Sequence, residues 1–345
     1  MRLDFRRFAL GMALSLIIGF ACTPADAQNY GGVVPIYKGG AGPIEPEVYI
    51  PPPPTPEPNF QMSLRYWASE GSTSFSIDSA RVNPALGSPT SVLDYDGMQG
   101  RTLEYVLRAE NPNQWIFKGF FGGGWLDGGN LDDEDYFAGQ VKFSDTSSSI
   151  EGDNMLYGTI DIGKRFSFVT AAGPQIDVSP FVGFNYWGET ADAYGARCTG
   201  GTMCPPGTNL IAPGSRAIRN EANWYSLRLG TEVRAKFYDR ITLIGDFALL
   251  PVAGLYNEDS HFYRNDLGPV PNIQGDGTGW GYQIEAAAQV DITENWALTG
   301  GFRYWYAETN GTQEFVASGT DVDLNDFTSE RIGVYGDVTY KFFTF

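Results

Sequence analysis

WGYQIEAAAQVDITENWALTGGFRYWY, residues 280–306, holds two runs of period-two alternation joined by a short polar link. In the first, Trp280, Tyr282, Ile284, Ala286, Ala288 and Val290 alternate with Gln283, Glu285 and Gln289. In the second, Trp296, Leu298, Phe302, Tyr304 and Tyr306 alternate with Thr299, Arg303 and Trp305. Successive side chains of a strand point to opposite faces, so each run shows one side to something apolar and the other to something polar. The link DITEN, 291–295, is short enough to make the two runs a hairpin.

The same alternation recurs at 225–235 and 331–342, separated by Gly-rich and polar stretches. A water-soluble sandwich would alternate in this way too, so other features decide. Aromatics crowd the strand ends (Tyr66, Trp67, Trp115, Trp187, Trp224, Trp280, Trp296, Tyr304), as in the girdles at the two interfaces of a bilayer. Short connections at 110–114, 237–240 and 291–295 alternate with long ones at 188–216, 256–275 and 307–328, which predicts short turns on one side of a membrane and long loops on the other. Phe345 is a terminal aromatic of the kind outer-membrane proteins carry.

Strands are expected at 60–78, 90–109, 114–127, 149–165, 174–190, 217–236, 239–256, 276–291, 295–308 and 328–345, an even number that puts both termini on the periplasmic side. In lipid every backbone polar group needs a partner, so ten such strands must close. The expected fold is all-β, a ten-stranded antiparallel transmembrane β-barrel of the bacterial outer membrane, spanning residues 60–345. Its lumen is narrow and filled by side chains such as Arg228, Glu232, Arg234, Glu285 and Arg303, which disfavours a wide pore.

The N-terminus agrees with that compartment. Residues 1–27 have a basic start, an apolar run from Phe8 to Ala21 and Ala25-Asp26-Ala27 before Gln28, the pattern of a cleavable secretory signal. The run is too short to span a bilayer as a helix. Residues 28–59 are rich in Gly and Pro and end in PPPPTPEP, a linker or tail rather than a packed unit. The signal carries three arginines and two aspartates, so its removal takes the formal charge from −18 to −19, which speaks against nucleic acid as a partner. Cys198 and Cys204 remain in a tight Gly-rich loop, and in a secreted chain two neighbouring cysteines are expected to form a disulfide, with two idle thiols as the alternative.

Strand counting places the chemistry. With the N-terminus periplasmic, the connections after strands three and seven are extracellular and lie across the mouth from one another. The first contains GNLDDEDYFAG, 129–139, and the second begins YNEDSHFYR, 256–264. His261 is the chain's one histidine, and Asp259 two residues before it falls on the same face of an extended strand. A carboxylate beside an imidazole fixes its tautomer and raises its pKa, which suits a general base near neutral pH. Asp133 and Asp135 repeat the two-residue offset. Two carboxylates aimed into one cleft resist ionising together and can share a proton or hold a water. Simpler explanations stand beside this one: a solvated histidine, a solvated acidic loop, or calcium held by Asp127, Asn130, Asp132 and Asp133, although that spacing departs from the twelve-residue calcium loop.

At these residues the chain resembles the omptins, outer-membrane proteases of ten-stranded barrel fold. Members carry Asp-x-Asp and an aromatic in the first place and Asp-x-His and an aromatic in the second; here these are Asp133, Asp135 and Tyr136, then Asp259, His261 and Phe262. The resemblance implies an aspartic-type endopeptidase that cleaves peptides or proteins at the cell surface, at or near basic residues, with its active-site mouth facing outside. In it His261 would activate a water, Asp259 would orient His261, and Asp133 and Asp135 would position the water and stabilise the tetrahedral intermediate. It implies no metal or other cofactor, but outer-membrane lipid as a partner and lipopolysaccharide as a requirement. The match is incomplete in the substrate pocket. Where the family has an aspartate two residues before Asp259, this chain has Asn257; Glu258 is a substitute of the wrong parity, Asp145 a candidate on the primed side, and Thr73 stands where an acidic residue is wanted on the first strand. FNYWGET, 184–190, has no arginine for the lipid-binding cluster. An inactive barrel acting as adhesin or binding module, and a small structural barrel or narrow channel, are the rival expectations.

Overall fold

The computed structural model describes residues 59–169, 175–237 and 240–343. The expected signal 1–27, almost all of the tail 28–59 and Phe345 lie outside them. Thirteen strand segments follow in order: β1 (Asn59–Asp78), β2 (Ser91–Glu110), β3 (Trp115–Asp127), β4 (Asn130–Phe137), β5 (Val141–Ile150), β6 (Asp153–Lys164), β7 (Phe166–Val169), β8 (Gln175–Gly200), β9 (Asn209–Phe237), β10 (Ile241–His261), β11 (Ile273–Asp291), β12 (Trp296–Phe315) and β13 (Thr320–Phe343). They build ten staves, because β3 and β4 are one stave and β5, β6 and β7 the next. Every stave pairs antiparallel with its neighbours, and β13 closes on β1 from Asn59 opposite Phe343 to Asp78 opposite Asp323. The ring therefore leaves no free edge, which a sheet in lipid requires.

The expected alternation holds along the apolar outer band of the barrel. On β3 both Trp115 and Trp125 face outward. At about 3.3 Å per residue and a tilt of about 40° they stand roughly 25 Å apart along the membrane normal, the height of the apolar band of such barrels. Trp296, Tyr340 and Phe342 join Trp115 at the lower rim, while Tyr225 and Trp280 join Trp125 at the upper. Three residues expected in these belts are inside instead: Trp67, Trp187 and Trp224 are fully buried. Adjacent Tyr66 and Trp67 must take opposite faces, and here Tyr66 is the outward one.

The interior is layered. Trp67 meets Tyr157 and Trp305 at centroid distances of 5.6 and 4.9 Å, and Trp187 meets Trp305 at 5.5 Å. The Arg303 guanidinium lies 4.7 Å from the Trp67 ring centroid and bonds Glu104 at 2.5 Å and Glu285 at 2.8 Å. Arg65 with Asp337, Arg228 with Asp161 and Arg108 with Glu232 continue this layer of ion pairs. The lumen is thus filled, as the inward charges of the sequence predict, with a cavity of about 110 Å³ among these chains.

The sequence expectation fails above the membrane. The stretches expected as long loops are mostly strand: β8 runs to Gly200 and β9 starts at Asn209, β10 runs to His261 and β11 starts at Ile273, and β12 runs to Phe315 before β13 starts at Thr320. GNLDDEDYFAG is likewise not a loop but strand β4 with its turn. In water both faces of a strand can be polar, so alternation fades there while the hydrogen-bond ladder continues. At the boundary Gly128 and Gly129 adopt φ of +66° and +97°, and Gly97 of β2 opposite them +70°. A Cβ on Gly129 would stand 2.6 Å from the Asp96 carbonyl oxygen. Both strands therefore kink together, and β4 resumes pairing with β2 from Asp96 opposite Asn130. Cys198 and Cys204 form the expected disulfide, with Cα atoms 5.3 Å apart, at the tip of the β8–β9 hairpin.

Candidate active site

Beyond the kink, β4 carries Leu131, Asp133 and Asp135 on its inner face. The register with β2 sets Leu131 opposite Tyr95, Asp133 opposite Leu93 and Asp135 opposite Ser91. Ser91 Oγ donates to Asp133 Oδ1 at 3.5 Å. The outer face carries Asp132, which is exposed, and Glu134, which pairs with Lys142 at 2.6 Å. The two-residue offset thus puts Asp133 and Asp135 on the inner face and Asp132 and Glu134 on the outer one.

On β10 the inner face carries Asn257, Asp259 and His261. Asp259 is wholly buried, opposite Asn220 of β9 and Ile273 of β11. His261 Nε2 and Asp259 Oδ2 are 3.0 Å apart, so the pair inferred from spacing is made in the fold. The end of β10 is held in place by Asn272, whose Oδ1 accepts from the His261 backbone N–H at 3.0 Å and whose Nδ2 donates to its carbonyl at 3.1 Å. Phe262 N–H donates to the Ala217 carbonyl, and the Arg216 guanidinium lies 4.2 Å from the Phe262 ring centroid.

The charges of the two pairs act on each other across the mouth. Burial and the charge of Asp135 push Asp133 up to about 7, Asp259 adds to the rise, and His261 and the Ser91 hydrogen bond oppose it. Asp135 is also raised, chiefly by burial, against Ser91, Arg264 and His261. Burial favours neutral His261, but the charge and hydrogen bond of Asp259, with the charge of Asp133, outweigh it and hold the imidazole above its ordinary value. Near neutral pH Asp133 is therefore partly protonated, beside a histidine able to exchange its own proton.

The candidates for substrate contact are placed differently. Asn257 is buried, and its Nδ2 donates to Asn220 Oδ1 at 3.2 Å and to the Glu221 carbonyl at 3.1 Å. Thr73 is inward and bonded to Ser329. Glu258 and Asp145 do not reach the cleft. Glu258 has the opposite parity to Asp259 and accepts from Tyr256 and Gln274. Asp145 stands opposite Glu134, on the wall face, where burial tends to raise it but Thr199 and Lys142 hold it below the ordinary carboxylate range. Ser91, Asn272 and Arg264 escaped the sequence reading. No motif marks them, and only the register of β2 with β4 and the return of the chain before β11 bring them to the site.

None of the protein-family models matches the chain, and no curated protein sequence matches it. Among solved structures, the outer membrane protease OmpT from Escherichia coli aligns with a TM-score of 0.61 at 14% identity, over 82% of this chain and 97% of that one. The attachment invasion locus protein Ail of Yersinia pestis (TM-score 0.28, 10% identity, 82% and 98% covered) and OprG from Pseudomonas aeruginosa (0.31, 12%, 83% and 96%) also align, too loosely to carry an argument. At 14% identity the likeness to OmpT is one of fold, and the chain is a ten-stranded β-barrel of the outer-membrane type.

Proposed function

We propose that this barrel is an outer-membrane endopeptidase of omptin-like mechanism, its mouth outside the cell and its termini periplasmic. The observation that carries the proposal is the His261–Asp259 hydrogen bond at 3.0 Å, on a strand whose charges interact with Asp133 of β4. A water in the cleft attacks the scissile carbonyl carbon while the imidazole takes its proton. With Nε2 committed to Asp259, Nδ1 is the nitrogen that receives it. The proton shared by Asp133 and Asp135 stabilises the oxyanion of the tetrahedral intermediate, and the proton on His261 passes to the leaving amine as the C–N bond breaks. General-base assistance of this kind contributes about 10² to 10⁴ in rate, with positioning and electrostatics supplying the rest.

The formal charge of −18 favours cationic substrates, so cleavage is proposed at or near Lys and Arg, with lipopolysaccharide as the lipid that supports activity. The test is refolded protein, with and without lipopolysaccharide, on a peptide library containing Arg and Lys sites. The expected result is cleavage that His261→Ala abolishes while the barrel stays folded. No cleavage of any peptide overturns the proposal. One observation favours a second reading, a binding barrel without activity: Asn257 is neutral and its donor is already engaged. Peptide binding without turnover would select it.

A further inference from the structure

Tyr95 lies on the inner face of β2, opposite Leu131 of β4 and Thr73 of β1, at the foot of the acidic cleft. It is 1% exposed, and its hydroxyl has no hydrogen-bond partner among the described residues. Asp259 is 0% exposed, and while its Oδ2 meets His261, its Oδ1 has no partner either. Asn220, directly opposite Asp259 on β9, has an Nδ2 in the same condition. With Asn257 Oδ1, on the residue bonded to Asn220, two donors and two acceptors are thus buried unmet around one carboxylate. Buried polar groups are almost always satisfied, and a gap too long for a direct bond between complementary groups is the setting in which a water bridges.

We infer that Tyr95 is a positioning residue: its hydroxyl donates, through one bound water that Asn220 also helps to hold, to Asp259 Oδ1 and so extends the His261–Asp259 pair into a chain of three side chains. The phenol suits the place. Burial, then the charges of Asp259, Asp133 and Asp192, push it well above the ordinary tyrosine value, so it stays a donor wherever the site works. Donation from below steadies the Asp259 carboxylate most when His261 is neutral, because the imidazolium no longer offsets its charge. Removing the hydroxyl therefore penalises the neutral-histidine state and raises the His261 pKa. The other charges facing His261 are Asp133 and Asp135 from β4 and Arg264 and Asp266 from the segment after β10.

The role of the chain rests on the proposed hydrolysis, but its existence can be read without it, because His261 is the one histidine in the sequence. The imidazole of tag-free, refolded protein can be titrated by NMR in wild type, Tyr95→Phe and, as a control, Tyr157→Phe, whose hydroxyl lies in the aromatic layer and bonds Thr102 and Glu104. Tyr95→Phe is expected to raise the His261 midpoint by about 0.5 to 1 pH unit, and Tyr157→Phe to leave it in place. If peptides are cleaved, the acid limb of kcat/KM moves by the same amount and kcat falls with little change in KM. An unchanged midpoint in Tyr95→Phe makes Tyr95 a packing residue and overturns the inference, whatever the activity. Should Tyr95→Phe fail to fold, 3-fluorotyrosine placed at 95 carries the test: a stronger donor must lower the midpoint, and no shift overturns the inference equally.

Discussion

Asp133 is raised to about 7 by burial and by Asp135, and such a shift makes the site sensitive to pH in two ways. For hydrolysis, His261 must be neutral, and its raised pKa means activity falls as pH drops through a value above the ordinary 6.5 or so. The shared proton must also be present, and it leaves as pH rises past about 7. A narrow bell near neutrality is the expected profile. Asp135→Asn removes the like charge, lowers Asp133 and moves the alkaline limb to lower pH; an unmoved limb would show that Asp133 does not set it. For stability the sign is the reverse of an ordinary salt bridge. A carboxyl whose folded pKa lies above its unfolded value favours folding most below about pH 4, and this contribution is lost as pH rises towards 7. Asp133→Asn is therefore expected to stabilise the barrel above pH 7 by on the order of 1–3 kcal/mol, after discounting for the part of the side chain that meets solvent, while abolishing turnover. Thermal melts in detergent at pH 5 and pH 8 check it: the gain should be clearly larger at the higher pH.

At the scale of elements, the site depends on strands that continue beyond the membrane. Alternation at 280–306 made β11 and β12 readable, because lipid on one side and packed side chains on the other force the period. The outer halves of β8, β9 and β10 were not readable, since polar residues occupy both faces there, Asp192 and Asn220 buried on the inner one and Glu258 on the other, without a pattern. What survived this loss was the two-residue offset. Asp133 with Asp135 and Asp259 with His261 share faces whether the segment is read as loop or strand, provided it is extended. Tyr95, Ser91 and Asn272 carry no such mark; their place follows from register, which one sequence does not show. Asn272 offers a test of this level. Its amide holds both polar groups of the His261 backbone, so Asn272→Ala frees the end of β10. Cleavage is expected to fall about tenfold, from the misplacement of a base, while the melting temperature drops by only a few degrees, as for two lost hydrogen bonds of about 1 kcal/mol each. A variant with wild-type kcat would show that β10 keeps its course without the clamp.

Taken whole, the molecule stacks three environments along one axis: ion pairs within the membrane, an aromatic layer above them, and the acidic cleft beyond. The Arg303 guanidinium joins the lower two, bonded to Glu104 and Glu285 beneath the rings of Trp67 and Phe120. Glu104 and Arg303 are fully buried, so the pair matters less for what it adds than for what is left if one member goes. Glu104→Gln leaves the buried Arg303 guanidinium with Glu285 as its remaining carboxylate and is expected to cost on the order of 1–3 kcal/mol of stability, whereas an apolar replacement of both partners costs less. The rival view of the barrel as a narrow channel makes the opposite demand on this layer, because conduction needs charges free to exchange partners with passing ions. In planar bilayers the wild type is expected to show no steady conductance, and Glu104→Gln to unfold more readily without opening a path. A wild-type pore that Glu104→Gln blocks or changes in selectivity would assign the ion pairs to transport, and would leave the cleft above them as a vestibule rather than an active site.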